Sequence, residues 1–223
     1  MKSYATIVLF LSFLTIKGWS QPNQTNDPEA GKILNAVKNK YTAYNSIQVQ
    51  FTYVLEDKQS GVRDEREGTL ALKKDRFKLD MSDIAVITDS KTLWIHLKNE
   101  KQVQIQNYDP STVEDEFGFA PDKMFEVDAE DFWYRMTGRN EVMVGTKTCK
   151  EIELTPKDKD KPYFKVKMYV SSANEVCKFH FYERDGAEYI FLVNSQKPNA
   201  NFEEGTFRLN TSTFDPANIS DFR

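Results

Sequence analysis

Two histidines, His96 and His180, are the residues best suited to acid–base or metal chemistry at neutral pH. Each lies in a strand-like pattern with apolar neighbours, and neither has a Cys or a second His at metal-ligand spacing. No Gly-x-Ser-x-Gly, P-loop or dinucleotide motif occurs. We therefore interpret both histidines as ordinary strand residues, and the sequence predicts no catalytic residue, no metal site and no cofactor.

The cysteines are the second candidate for chemistry. Cys149 and Cys177 form an even pair, which permits a disulfide in an exported protein. A predicted strand from Tyr163 to Val170 separates their strands, and strands two apart lie about 10 Å from each other, too far for a bridge. Free, half-buried thiols are the favoured interpretation, and a disulfide is the alternative.

Acidic residues cluster between Tyr108 and Gly138, in runs from Glu114 to Glu116 and from Asp128 to Asp131. The runs lack the regular spacing and the glycine turn of a calcium loop, so solvated acids are favoured over a calcium site. The segment is also rich in aromatic residues and shows no clear alternation over about 30 residues. We predict short helices here, which could cover the open mouth of a sheet.

The elements that position these residues follow an export signal. Met1 to Ser20 combine a positive start, an apolar stretch and small residues at the expected cleavage positions, so residues 1–20 are predicted to be a signal peptide. An uncleaved membrane anchor is the alternative. Loss of Lys2 and Lys17 would move the formal charge from −4 to −6, which disfavours nucleic acid as a partner. Residues 21–223 contain no linker and are predicted to form one domain.

One helix and a long series of strands make up the predicted domain. Asp27 and Pro28 indicate a helix start, and apolar residues from Ala30 to Tyr44 recur at helical spacing. From Ser46 the period changes to two, and short turns indicate antiparallel hairpins in a meander that curls towards a barrel. The strands are predicted in two blocks: Ser46 to Asn107, and Glu141 to Leu209, where the last strand runs from Gly205 to Leu209. Periodicity leaves open whether the inner face is a filled core or an empty cavity.

Several motifs stand in the order and rough spacing of one known protein family. Gln50-Phe51-Thr52 resembles the first strand of that family, and Gly68-Thr69-Leu70 with Phe77 resembles its Gly-x-Leu strand and following aromatic residue. Asp89-Ser90-Lys91-Thr92-Leu93-Trp94 is similar to its Asp-Gly-Lys-Thr-Leu-Trp turn. Leu154-Thr155-Pro156-Lys157 and the Asp221-Phe222-Arg223 terminus are also similar. From about Asp27 to its end, the chain therefore resembles the LolA family of periplasmic lipoprotein carriers.

The resemblance implies a mainly β fold with α structure: an incomplete antiparallel β-barrel of about 11 strands, closed by a helical lid around a hydrophobic cavity. It implies a monomeric carrier in the periplasm of a Gram-negative bacterium. Its partners would be acylated lipoproteins, an inner-membrane lipoprotein release complex and an outer-membrane receptor. Two other functions remain open: a lipid-binding or envelope-stress-sensing module of the same fold, and an exported hydrolase acting on lipids or glycans.

The same resemblance assigns candidate site residues. Lys74 takes the position of a basic residue that holds the lid closed in the family, where Arg followed by Pro is usual, and Phe125 and Phe132 are candidate lid contacts. Lys lacks the planar guanidinium that can bond several carbonyls at once. The predicted lipid-binding cavity is lined by nine strand residues: Val49, Phe51, Leu70, Leu72, Phe77, Leu79, Val86, Leu93 and Ile95.

Overall fold

The computed structural model describes residues 26–111, 113, 121–138 and 141–223. The expected signal peptide, residues 1–20, and the acidic run from Glu114 to Glu116 lie outside the described residues. Within the described part of the chain, no helix has both the length and the apolar composition needed to cross a membrane.

The helix begins where the sequence predicts it. α1 spans Pro28–Thr42, and the side chain of Asp27 accepts hydrogen bonds from the backbone N–H groups of Glu29 at 2.8 Å and Ala30 at 3.3 Å. These bonds satisfy donors that a helix start would otherwise leave unpaired. One face of α1 is buried, and it carries Ala30, Gly31, Leu34, Val37 and Tyr41.

Thirteen strands are present among the described residues, and they belong to one sheet. They are β1 (Ile47–Asp57), β2 (Val62–Lys73), β3 (Arg76–Met81), β4 (Ile84–Thr88), β5 (Thr92–Leu97), β6 (Gln102–Asn107), β7 (Phe132–Met136), β8 (Val142–Val144), β9 (Lys147–Pro156), β10 (Tyr163–Ser171), β11 (Val176–Glu183), β12 (Ala187–Pro198) and β13 (Ile219–Asp221). The spatial order is β13-β6-β5-β4-β3-β2-β1-β12-β11-β10-β9-β7, with β8 paired to β9.

The sheet consists of two meanders joined by an antiparallel pairing between β1 and β12. Neighbouring strands are antiparallel throughout, except that β13 pairs with β6 in parallel, which corrects the all-antiparallel prediction. Parallel pairing is possible here because the connection between β12 and β13 is long and brings the chain to the edge of the sheet at β6. Strands β13 and β7 end the order without pairing to each other, so the sheet is curled and unclosed.

Two segments differ from the prediction. The strand expected from Gly205 to Leu209 is instead a 3-10 helix, Glu204–Phe207, because only two apolar residues supported the alternation and glycine weakens a strand. Conversely, Phe132–Met136 is a strand where short helices were expected. Phe132 and Tyr134 lie on one face of this strand and Trp133 lies on the other. Because both faces carry aromatic residues, the sequence shows no alternation of apolar and polar residues.

The core lies between α1 and the inner face of the sheet, where the buried helix residues join one hydrophobic cluster with residues from both meanders. Glycine permits two of the close approaches in this core. A Cβ on Gly31 would lie 3.1 Å from the hydroxyl of Tyr134 in β7, and a Cβ on Gly68 would lie 2.5 Å from the ring of Phe51. Larger residues at these two positions would separate the elements that glycine brings together.

Candidate functional site

A cavity of about 730 Å³ lies between the inner face of β9 to β11 and residues 121–131, which we call the cover segment. Its wall includes Leu154, Val166 and Phe181, one from each of three adjacent strands. Val166 is the direct cross-strand partner of both Leu154 and Phe181, so the three side chains share one face in a single row. Phe132, Tyr163 and Phe179 extend this apolar surface.

Charged residues surround the opening of the cavity and attach the cover segment at two points. Lys38 of α1 donates a hydrogen bond to Asp128 at 2.7 Å. Lys157, just after β9, donates from Nζ to the backbone carbonyl of Glu130 at 2.5 Å and from its backbone N–H to that of Asp131 at 2.9 Å. The bond to Asp128 raises the pKa of Lys38, and it lowers the pKa of Asp128 together with the N–H of Glu130.

The nine side chains predicted to line a lipid cavity come together in one buried cluster with α1. Each is 8% exposed or less. None of them lines the 730 Å³ cavity, and only Leu72 lines a second, smaller pocket. Their contact with a lipid stays a prediction. The set is Val49, Phe51, Leu70, Leu72, Phe77, Leu79, Val86, Leu93 and Ile95.

The three predicted lid and gate residues lie at two different places. Phe132 lines the large cavity, whereas Phe125 and Lys74 line the small pocket. Lys74 sits in the turn between β2 and β3 with a φ of 58°, and its side chain makes no hydrogen bond or ion pair with any described residue. The gating role of Lys74 therefore stays a prediction.

The small pocket has a volume of about 220 Å³ and lies between the C-terminal end of α1, the start of β1, the end of β2 and the cover segment. Tyr41, Tyr44 and Phe125 form its aromatic walls. Asp122 also lines it and is only 7% exposed. Burial raises the pKa of this carboxyl group.

The sequence prediction missed the residues that form the wall of the large cavity. Leu154, Val166, Phe179 and Phe181 alternate inwards in strands that the sequence did predict, but none was selected as a site residue. The sequence feature that could have identified them is their position in the strands that follow the aromatic segment between Tyr108 and Gly138. Antiparallel pairing of neighbouring hairpins places such residues side by side.

The two histidines lie away from both pockets' linings. His180 faces Glu188, with Nε2 and Oε2 2.8 Å apart, and the Tyr182 hydroxyl lies 3.1 Å from Nδ1. His96 meets the ring of Phe214 edge-on at 4.8 Å between centroids. Burial lowers the pKa of both histidines.

The two cysteines are reduced and buried, and β10 lies between their strands as predicted. Burial raises the pKa of Cys149 to about 12. Among the described residues, no group of three or more His, Cys, Asp or Glu side chains is arranged to hold a metal ion.

A large curled, unclosed sheet with one helix packed in its core is the LolA-like fold. The family model described as outer membrane lipoprotein carrier protein LolA matches residues 42–210. The chain belongs to the LolA family. No curated protein sequence matches the chain.

The chain is similar to several solved structures at low sequence identity. An uncharacterized conserved protein from Thermus thermophilus is 13% identical, with 86% of this chain and 98% of that chain covered and a TM-score of 0.52. A LolA superfamily protein from Nitrosomonas europaea is 13% identical, with coverage of 81% and 98% and a TM-score of 0.42. The complex of MucA and MucB from Pseudomonas aeruginosa matches with 17% identity, coverage of 82% and 62%, and a TM-score of 0.46.

Proposed function

We propose that this chain is a periplasmic carrier that binds the acyl chains of lipoproteins and shuttles them from the inner to the outer membrane. It would receive acylated lipoproteins from an inner-membrane release complex and deliver them to an outer-membrane receptor. The observation that carries the proposal is the 730 Å³ cavity with its row of Leu154, Val166 and Phe181. Membership of the LolA family supports the same function.

The size and chemistry of the cavity suit an acyl chain. Ligand pockets in proteins commonly enclose about 300–1,000 Å³ and are mainly apolar, with polar groups at selected points. Each methylene removed from water contributes about 0.8 kcal/mol, so an acyl chain of about 15 methylenes has a gross burial energy near 12 kcal/mol. Because no specific polar contact is needed, one cavity can accept the acyl chains of many lipoproteins.

The cover segment would act as a lid that opens and closes access to this cavity. One of its attachments is the ion pair between Lys38 and Asp128, whose side chains are 39% and 43% exposed. Exposed ion pairs contribute little to stability because water and salt screen them, so releasing this contact costs little compared with disturbing the packed strands beneath. The part of the cover segment around Asp128 can therefore move while Phe125 stays packed in the core and the sheet remains folded.

The predicted lid and cavity residues have a place in this mechanism. Phe125 packs on Tyr41 of α1, and the nine residues of the predicted cavity belong to the same hydrophobic cluster. Separation of Phe125 from Tyr41 would extend the space available to a second acyl chain towards Leu72. We propose that Lys74, at the mouth of the small pocket, influences this opening as the gate.

The carrier would work as a single domain, residues 21–223, after removal of residues 1–20 in the periplasm. It would act as a monomer, require no cofactor and catalyse no reaction, because release follows transfer of the acyl chains to the receptor. A regulatory module would instead form a fixed complex with a partner protein, and a hydrolase would turn over lipid or glycan substrates.

Native mass spectrometry of the mature protein purified from cell envelopes tests the proposal. One acylated lipoprotein bound per chain is the expected result. A chain that is empty, and that also fails to bind a fluorescent fatty acid, would contradict it. Turnover of a lipid panel by the same preparation would identify a hydrolase instead.

A further inference from the structure

Two exposed aromatic side chains lie on the outer surface of the sheet next to the large cavity. Phe132 and Tyr163 line the cavity, and the residues that directly follow them in the chain are Trp133 and Phe164. Trp133 is 36% exposed and Phe164 is 42% exposed. Of the five large hydrophobic residues that are this exposed in the described part of the chain, two therefore lie beside one cavity.

The register of the strands places these side chains on one surface. Trp133 of β7 pairs with Thr155 of β9, and Lys165 of β10 pairs with Tyr182 of β11. Thr155 and Lys165 are neighbours on the outer face, because the inward-facing residues next to them are direct partners. Phe164 is the extra residue of a β-bulge, and its ring centroid lies 6.5 Å from that of Tyr182. The aromatic residues thus form one row across four strands.

Two lysines lie over the rings of this row. Nζ of Lys157 is 5.0 Å from the centroid of the Trp133 ring, and Nζ of Lys165 is 3.9 Å from that of Tyr182. Neither lysine forms an ion pair with a residue that the structure describes. Residues 157–165 carry four lysines and two aspartates, a formal charge of +2, within an acidic chain. We use the name outer patch for Trp133, Lys157, Phe164, Lys165 and Tyr182.

The composition of the outer patch favours a membrane surface over a protein partner. Trp and Tyr are enriched where a bilayer meets water, because their rings have an apolar body and a polar edge. Lysine suits the same layer, since its stem lies along apolar surface while its ammonium group stays in water. Protein interfaces are instead enriched in Arg and depleted in Lys. Anionic headgroups complement the positive charge of the patch.

We propose that the outer patch docks the protein on a bilayer surface that contains anionic phospholipid, with Trp133 and Phe164 in the headgroup layer. Docking would place the cavity beside the bilayer, because Lys157 belongs to both the patch and the cavity lining. Only this consequence rests on the proposed function. The contact would be reversible, since a few rings and lysines give weak membrane binding compared with a spanning helix.

Tryptophan fluorescence of the full mature protein with lipid vesicles tests the proposal. After loss of residues 1–20, only Trp94 and Trp133 remain. Trp94 is 5% exposed and belongs to a different hydrophobic cluster, so a change in emission reports on Trp133. We expect a blue shift with vesicles of phosphatidylglycerol and phosphatidylethanolamine, and quenching by a spin-labelled lipid. Binding should be weaker at high salt and weaker to vesicles of phosphatidylcholine alone.

Variants of the outer patch test the same contact by vesicle sedimentation. Phe164→Glu should lower the partition coefficient about tenfold or more, because it removes an inserted ring and adds a repelled charge. Lys165→Gln should lower it about fivefold. Phe222→Glu and Lys91→Gln make the same changes at exposed positions outside the patch and are the matched controls. A thermal melt of each variant establishes that it is folded.

The outcomes separate membrane docking from acyl-chain carriage. Phe164→Glu should bind a fluorescent fatty acid in solution as wild type does, so a defect with vesicles alone belongs to docking. Equal partition of Phe164→Glu and Phe222→Glu would overturn the proposal, as would equal binding of wild type to anionic and zwitterionic vesicles. Absence of vesicle binding would overturn it as well, and retention by detergent-solubilised envelope proteins in that case would assign the patch to a protein partner.

Discussion

Tyr41 and Phe125 stack almost parallel, with ring centroids 4.8 Å apart and planes 9° apart. Two hydrogen bonds hold the Tyr41 side chain in place. Its hydroxyl donates to Oε1 of Gln196 at 2.7 Å and accepts from the backbone N–H of Val176 at 3.0 Å. Phe125 also lies near Phe179 of the large cavity, at 6.2 Å between ring centroids. Phe125 thus packs between Tyr41 of α1 and Phe179 of β11, and it attaches the cover segment to the core.

Phe125→Ala should lower the free energy of unfolding by about 3–5 kcal/mol, because a buried aromatic ring leaves a cavity behind. For a chain of this length, each 1 kcal/mol lowers the melting temperature by about 2–4 °C. Urea denaturation and thermal melting measure the two effects. Phe222→Ala is the matched control, since Phe222 is 66% exposed and its loss should change neither quantity by much.

Phe181→Glu should abolish binding of a fluorescent fatty acid while leaving the sheet folded. Phe181 is half-buried in the wall of the large cavity, so a carboxylate there is unfavourable for an apolar ligand but still reaches water. Phe164→Glu is the control, because Phe164 is 42% exposed on the adjacent strand and does not line the cavity. Equal loss of binding in both variants would argue against the cavity wall identified above.

Lys38→Met should accelerate exchange of a bound fatty acid, because it removes one attachment of the cover segment. Stopped-flow displacement of a fluorescent probe measures the rate. Lys32→Met, which removes an exposed lysine from α1, the helix that carries Lys38, is the control and should leave the rate near the wild-type value. An unchanged rate in Lys38→Met would show that this ion pair does not restrain the cover segment.

The pair of Lys38 and Asp128 also has a defined pH dependence. The pKa of Asp128 is lowered in the folded chain, so its contribution is complete above its unfolded value of about 4 and is lost as the pH falls through the folded pKa. The exchange rates of wild type and Lys38→Met should therefore differ at pH 7 and converge in acid. A difference that persists at pH 2 would contradict this origin.

His180 should make the protein less stable in mild acid. Burial lowers its pKa despite the opposing effect of Glu188, so the unfolded chain binds a proton near pH 6.5 while the folded chain does not. The free energy of unfolding should fall as the pH decreases from 7.5 to 5.5, and His180→Gln should reduce that slope. His96 contributes in the same direction, so the double variant should have the smallest slope. A slope identical to wild type in His180→Gln would contradict the lowered pKa.

Local patterns predicted the helix and most strands because their causes are local. The cap at Asp27 and the alternation in β1 depend on nearby residues. The parallel edge pairing of β13 and the join between β1 and β12 depend on where distant segments meet, so periodicity does not contain them. β7 was missed because aromatic residues on both faces conceal its period.

The site was harder to predict than the fold. Alternation correctly identifies inward-facing residues such as Phe77 and Leu79, which are 0% and 1% exposed. It does not say whether an inward side chain faces a ligand or the helix, since that depends on where α1 packs. In this structure the nine predicted residues are buried in one cluster with α1, and the large cavity lies against β9 to β11.

Photo-crosslinking with a diazirine-bearing fatty acid, followed by peptide mass spectrometry, tests the central claim most directly. The reactive group labels whatever side chains surround the acyl chain, so it reports the location as well as the presence of the ligand. We predict adducts on Tyr163, Val166, Phe179 and Phe181, and their loss when unlabelled lipoprotein competes. Adducts confined to outward-facing residues such as Phe164, or labelling that lipoprotein does not displace, would contradict the claim that this cavity carries acyl chains.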